Sequence, residues 1–159
     1  MSTLKKFEIF MENNIDNAYR FAYTFVKNKA DAEDILSEST VKALKSIKTL
    51  KDEKYIKSWF YKIITNTAIT HINRSKKLVS VDFSECDEIS HNDKTDFEFF
   101  DILKDLSLQD RNIIVLKILE NMKFAEIAEI LKLNESTVKT RYYKALKALK
   151  INLEGEIYG

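Results

Sequence analysis

The chain has 159 residues, 45% of them hydrophobic and 32% charged, with a formal net charge of +1. That is enough apolar material for one ordinary domain or two small ones, with a well-solvated surface. Proline is absent and the only glycines are Gly155 and Gly159, so the residues that punctuate hairpins are missing and many short strands are excluded. The expected class is all-α. Cys86, the single cysteine, permits no internal disulfide and points to a reducing interior. No apolar run reaches the roughly 18 residues of a membrane span, and the N-terminus lacks a secretion signal. A cytoplasmic protein with no direct membrane insertion is expected.

In chain order, residues 4–26 predict a long helix with Phe7, Met11, Ala18, Phe21, Ala22 and Phe25 near one stripe. Asn28 and Lys29 break it, and Asp31 is placed to cap a second helix that runs to about Leu44, with Ile35, Leu36, Ser39 and Ala43 turned inward. Asp31, Asp34 and Glu38 fall on one side of that helix as an acidic strip. Their spacing alone also fits carboxylates that favour a helix N-terminus. A cationic loop follows, in which Lys45, Lys48, Lys51, Lys54 and Lys57 recur every third residue. It leads into a third helix, Ser58 to Arg74, dense in aromatics and followed by Lys76 and Lys77. Basic side chains interleaved with aromatics suit single-stranded nucleic acid, where bases stack and phosphates pair with cations. Trp59 and Phe60 are expected to be mostly core, with Ile63 also a core candidate.

Residues 78–97 lose the periodicity and turn acidic, holding one Lys against six Asp and Glu. Residues 1–77 hold 15 Lys and Arg against 9 acids, and residues 98–159 hold 10 against 10. The near-neutral total therefore hides a basic block, an acidic linker and a balanced block. After the linker, Phe99, Phe100, Leu103 and Leu106 start a helix. Ser107 begins the next with a capping-box-like pattern, and that helix carries Ile113, Ile114, Leu116 and Leu119. Asn121 can take the left-handed backbone that ends it, where glycine is commoner. Two further helices complete a four-helix domain.

The first of these puts Phe124, Ile127, Ala128 and Leu131 on one face. The second starts after Asn134, an N-cap residue, with Glu135 suited to the helix dipole. Its inner stripe is Val138, Tyr142, Ala145, Leu146 and Leu149. Turning by about 100° per residue sends Ser136, Lys139, Thr140, Tyr143 and Lys147 to the other side. Residues 132–150 hold six cationic side chains against the single Glu135, and local charge is what phosphates feel. A short helix, a tight turn and a second helix with a cationic outer face form a helix-turn-helix.

Catalysis finds little support. His71 and His91 lie twenty residues apart without the partners a metal site or triad needs. Cys86 sits among acids, which do not activate a thiol, and a phosphate-binding loop needs glycines that are absent. No catalytic residue, metal, cofactor or small-molecule substrate is expected. The helix-turn-helix by itself fits a DNA-binding regulator, and the helices by themselves fit a protein-interaction module.

Taken together, the motifs resemble one family. Asp31-Ala-Glu-Asp-Ile-Leu36 comes first, followed by Trp59-Phe-Tyr-Lys-Ile63 with Asn66-Thr-Ala68. The acidic linker, Glu126-Ile-Ala128 and Ser136-Thr-Val-Lys-Thr-Arg141 follow. In this order and at this separation the chain resembles a bacterial RNA polymerase sigma factor of the extracytoplasmic-function type, from about Tyr19 to Leu149. The resemblance implies two small helical domains: residues 1–77 binding core RNA polymerase and the −10 element, and residues 98–159 binding the −35 element, with 78–97 as linker. It assigns Asp31, Glu33, Asp34 and Glu38 to core polymerase. Lys54, Lys57, Tyr61, Lys62, Asn66 and Arg74 go to −10 promoter DNA, with Asn66 at a pocket for a flipped base. Ser136, Thr137, Lys139, Thr140, Arg141, Tyr143, Lys144 and Lys147 go to −35 promoter DNA. It further implies a linker threaded toward the polymerase active centre, an anti-sigma factor as partner, and no additional regulatory domain after Leu149.

Several positions depart from the family pattern. Ser37 replaces a common glutamine, Thr70 a common aspartate and Asn73 a usual arginine, while Asn121 and Lys132 stand where glycines are usual. The changes at Thr70 and Asn73 bear on −10 preference and leave polymerase binding untouched.

Overall fold

The computed structural model of the protein describes residues 1–77 and 100–158, which are helical with short turns and contain no strand. The chain divides into two compact units, Met1–Glu88 and Ile89–Gly159. The acidic segment expected at 78–97, with Cys86 and His91, lies outside the described residues.

The first unit is built on α1 (Thr3–Val26), α2 (Lys29–Lys45) and α3 (Ile56–Lys77), each packed on the other two. Ser2 caps α1 by accepting the Lys5 amide at 3.1 Å. Lys27 ends it in the left-handed conformation at φ 55° and returns its N–H to the Tyr23 carbonyl. The cap of α2 differs from expectation. It is Asn28, whose Oδ1 accepts the Asp31 amide at 2.8 Å and whose Nδ2 donates to the Asp31 carboxylate at 2.6 Å. Asp31 sits inside the first turn, where its carboxylate accepts from the cap rather than serving as the cap.

Alternate small and ring side chains fill the centre of this unit. Ala18, Ala22, Ala32, Ala43 and Ala68 let the helices approach, and Phe7, Phe10, Phe21, Phe60 and Tyr61 occupy the space between them. Phe60 meets Phe7 and Phe10 edge-on at 5.5 and 6.0 Å, and Tyr61 stacks on Phe21 at 5.1 Å with the rings nearly parallel. Trp59 is only half-buried, with its indole edge-on to Phe7 at 6.1 Å. Between α2 and α3 the chain makes two 3-10 turns, Ile47–Thr49 and Glu53–Tyr55. Glu53 moors the second turn to α1, accepting from Thr3 Oγ1 at 3.0 Å and pairing with Lys6.

In the second unit a helical turn at 100–102 leads through buried Leu103 to α4 (Leu108–Ile114), capped by Ser107 as expected, with Asp110 N–H donating to its hydroxyl at 3.2 Å. The helix then widens into a π turn over Val115–Leu119, marked by the Glu120 N–H bonded to the Val115 carbonyl five residues back. The extra residue in that turn rotates the end of the helix. Leu119, expected inside, is therefore exposed, while Val115 at the start of the turn is buried with Ile113, Ile114 and Leu116. Asn121 is left-handed at φ 51°, as its sequence position suggested. The helix-turn-helix follows as α5 (Phe124–Leu131) and α6 (Glu135–Tyr158). Lys132 makes the tight turn at φ 58°, in the left-handed region that glycine favours.

The buried side of α5 is Ile127, Ala128 and Ile130, while Phe124 and Leu131 are half-buried. That of α6 is Val138, Ala145 and Leu149, packed on α4 and α5. Leu146 is exposed rather than inward, because one residue past Ala145 it is turned about 100° off that narrow seam.

Candidate functional site

Three surfaces carry the residues singled out in the sequence. On α2 the acidic strip is split in two. Asp31 and Glu38, two turns apart, face α3: Asp31 Oδ1 lies 3.4 Å from His71 Nε2, and Glu38 Oε1 lies 3.5 Å from Lys42 Nζ and 4.0 Å from Arg74 Nη1. Glu33 and Asp34 are exposed. The outward face they begin continues with Val41 and Leu44, 50% and 44% exposed. Seven residues separate Asp34 from Val41 and eleven separate Glu33 from Leu44, close to whole numbers of turns. Sequence reasoning missed these aliphatics because it sought only the inward stripe, although the spacing from the acids was available as a signal.

On and before α3 the predicted nucleic-acid residues divide sharply. Lys54 is exposed, 3.8 Å from Asp52 and 4.9 Å from the centre of the Tyr55 ring. Lys57 and Lys62 are half-exposed, Asn66 is exposed, and Arg74 points outward from its contact with Glu38. Tyr61 is a correction. It is 0% exposed and stacked on Phe21, so no base or phosphate can reach it from solvent. The solvent side of the helix instead carries Asn66, Ile69, Thr70 and Asn73, at i, i+3, i+4 and i+7. Thr70 donates its hydroxyl to the Asn66 carbonyl at 2.9 Å, which leaves its oxygen only as an acceptor.

On α6, Ser136, Lys139, Thr140, Tyr143, Lys144 and Lys147 are all exposed, and Thr137 is half-buried. Thr140 donates to the Ser136 carbonyl at 2.9 Å. Lys139 Nζ is 3.5 Å from Glu135, one turn earlier. Arg141 donates to Asp110 at 3.1 Å and ties α6 to the first turn of α4 while its side chain stays 42% exposed. Next to Asp110, Arg111 donates to the Leu106 carbonyl at 2.8 Å, and burial pulls its pKa below the ordinary arginine value. Glu53 is held below the usual carboxylate range, chiefly by its hydrogen bond from Lys6 and then by that from Thr3.

An aromatic cluster lies where α5 meets α6. Phe124 packs edge-on to Tyr142 at 5.4 Å and tilted to Tyr143 at 6.1 Å, and the two tyrosines meet at 5.2 Å. Lys117 Nζ sits 4.3 Å from the Phe124 ring centre and also donates to the Met122 carbonyl at 3.1 Å. Among the described residues no group of three or more His, Cys, Asp or Glu is placed to hold a metal, and no helix is long and apolar enough to cross a membrane.

Residues 10–78 match the Sigma-70 region 2 family and residues 97–149 match the Sigma-70, region 4 family. The chain is similar to RNA polymerase sigma factor SigV of Bacillus subtilis (strain 168), with 41% identity covering 87% of this chain and 85% of that protein. It is also similar to ECF RNA polymerase sigma factor SigW of the same organism, with 30% identity covering 87% of this chain and 83% of that protein. Among solved structures, its fold resembles the sigma factor RpoE in complex with the anti-sigma factor NepR from Bartonella quintana. There the TM-score is 0.72 at 21% identity, covering 92% of this chain and 98% of that one. It also resembles CnrH in complex with the cytosolic domain of CnrY, with a TM-score of 0.68 at 18% identity, covering 94% and 88%. At these identities the structural likeness is one of fold. The two family matches, in chain order and with the identity to SigV, settle the family: the chain belongs to the sigma-70 family, in its extracytoplasmic-function branch, and is an alternative sigma factor directing promoter-specific transcription.

Proposed function

We propose that the chain is a cytoplasmic, non-catalytic specificity subunit that joins core RNA polymerase through one face of α2 and reads two promoter elements through α3 and α6. The docking face is Glu33 and Asp34 with the aliphatic Val41 and Leu44 beside them, an acidic patch that grades into an apolar one. Asp31 and Glu38 border it while bridging to α3. The −10 element is read by Lys54, Lys57, Lys62, Asn66 and Arg74. A base removed from its stack costs a few kcal/mol, which a shaped site with an amide such as that of Asn66 offsets. The −35 element is read by Ser136, Thr137, Lys139, Thr140, Tyr143, Lys144 and Lys147. Tyr61 is left out because its ring is sealed against Phe21, and Arg141, bridged to Asp110 but 42% exposed, stands at the edge of the −35 set.

The observation that carries the reading is the outer face of α6, where five exposed lysine or hydroxyl side chains surround an exposed ring while the opposite face is sealed against α4 and α5. A recognition helix needs such a face: cations to engage phosphates and uncommitted groups to meet base edges. An anti-sigma factor is a further expected partner, in keeping with the complexes in which RpoE and CnrH are found. Run-off transcription with core bacterial RNA polymerase over a genomic promoter pool tests the proposal. Start sites that appear only when the chain is added support it. Transcription no greater than with core enzyme alone overturns it.

A further inference from the structure

The segment that joins α2 to α3 carries Lys54 and leads to Lys57, yet it has no apolar seal of its own. No residue of its two 3-10 turns is buried, so side-chain ties hold the second turn in place. Asp52 caps that turn by accepting the Lys54 amide at 3.1 Å, and Ser58 Oγ donates to the Tyr55 carbonyl at 3.2 Å. Those ties are local. Glu53 supplies the distant one, accepting from Thr3 Oγ1 at 3.0 Å and pairing with Lys6, 50 and 47 residues away. Ser2 caps the turn of α1 that presents both partners. Next along α1, Phe7 meets Trp59 edge-on at 6.1 Å. The start of α1 therefore grips the chain at Glu53 and again at Trp59, and Lys54 and Lys57 lie between the two grips.

An exposed connection is free to move unless something fixes it, and ordering it at the moment of binding weakens the complex. The Lys6 and Glu53 side chains are 43% and 34% exposed, and such a pair adds little to global stability. Its effect falls instead on the conformation that the turn holds before DNA arrives. On the basis of the −10 reading above, we infer that Glu53 is a positioning residue for the −10 contact, and that Thr3 and Lys6 at the start of α1 are its anchors. The three act through Lys54 and Lys57, since cations that track a backbone are what an unpaired strand engages. The N-terminal turn of the chain thereby serves the −10 contact without itself meeting nucleic acid.

Holoenzyme reconstituted from core bacterial RNA polymerase and the full chain is assayed on two probes cut from a promoter that the wild type uses. One is duplex and ends just upstream of the −10 element. The other continues with the −10 element as an unpaired strand. Lys6→Glu and Glu53→Lys should each weaken binding to the second probe about five-fold, the factor that ~1 kcal/mol corresponds to. Binding to the first probe and to core polymerase should stay unchanged. Charge alone would move the two variants in opposite directions on DNA, so a shared loss identifies the mooring. The double variant, which exchanges the two charges, should recover most of the affinity. The inference is overturned if either single variant binds the second probe as the wild type does, if the loss is equal on both probes, or if the double variant stays as weak as the singles. A wild type that gains nothing from the unpaired element overturns the −10 reading as well, whereas a wild type that gains while the variants match it overturns this inference alone.

Discussion

Two helices of this protein carry the same mixture of aromatic and basic residues and use it in opposite ways. In α3 the rings are structural: Phe60 and Tyr61 are sealed between α1 and α2, and the groups left outside are polar, Asn66, Thr70 and Asn73 with Arg74. In α6 the aliphatic Val138, Ala145 and Leu149 make the seal, and a tyrosine and three lysines are left outside. Tyr61 and Tyr143 show the contrast most plainly, the first stacked flat on Phe21 and the second propped at the surface by Phe124. A motif of rings and cations therefore does not say which rings are left at the surface. The packing partner of each ring decides it.

The largest effect expected from this contrast is on stability. Tyr61→Ala removes a fully buried ring and should cost about 3–5 kcal/mol, as large-to-small core changes do, whereas Tyr143→Ala should stay within roughly 0.5 kcal/mol. Urea unfolding of the two variants measures both, and a Tyr61→Ala cost below about 1 kcal/mol would break the comparison. Next comes Lys139→Ala, which should weaken promoter affinity by about 1–3 kcal/mol if the amine meets a base edge. Equal activity of that variant on wild-type and −35 mutant promoters is expected under the assignment, and a retained difference would make Lys139 a solvated lysine. Asp110→Ala should then cost about 1 kcal/mol of stability, a figure already reduced for the partial exposure of its bridge to Arg141. The DNA affinity of the folded variant should keep its salt dependence, since the substitution leaves every cation of α6 in place.

Smaller still is Lys147→Ala, which should weaken binding evenly across sequences and lower the salt slope by about 1, as loss of one phosphate contact does. The least effect concerns acid. Glu53 has its folded pKa depressed by Lys6 and Thr3, so its contribution is present above the unfolded carboxylate value and is lost as pH falls through the lowered one. Lys6→Gln should flatten the acid limb of a stability profile slightly in that window. A profile unchanged by the substitution would show that the mooring of the 3-10 turn to α1 adds nothing.

Much of this architecture was legible in the residues. The absence of proline and the scarcity of glycine set the class, Ser107 announced its helix, and Asn121 stood where a left-handed residue was needed and adopts that conformation. The outer face of α6 followed from its period, because an apolar seam and a cationic back leave a clear contrast. On α3 there was little contrast to read: Trp59, Phe60, Tyr61, Ile63 and Ile64 follow one another closely, so the sequence could not separate the sealed rings from the rest. Arg141 was illegible for another reason, since its partner Asp110 is 31 residues away and only the folded unit brings them together. The π turn over Val115–Leu119 likewise has no residue signature, which is why Leu119 was placed on the wrong side. Asn28 and Asp31 are both good caps by type, and the choice between them rested on where the preceding helix released the chain.

The division of labour between α3 and α6 is tested most directly by run-off transcription in a cycle of protein and promoter changes. Asn66→Ala and Lys139→Ala would each be assayed with core RNA polymerase on a wild-type promoter, a −10 mutant and a −35 mutant. The account predicts that Asn66→Ala blunts the response to the −10 change alone and that Lys139→Ala blunts the response to the −35 change alone. Variants that respond alike to both promoter changes would contradict it.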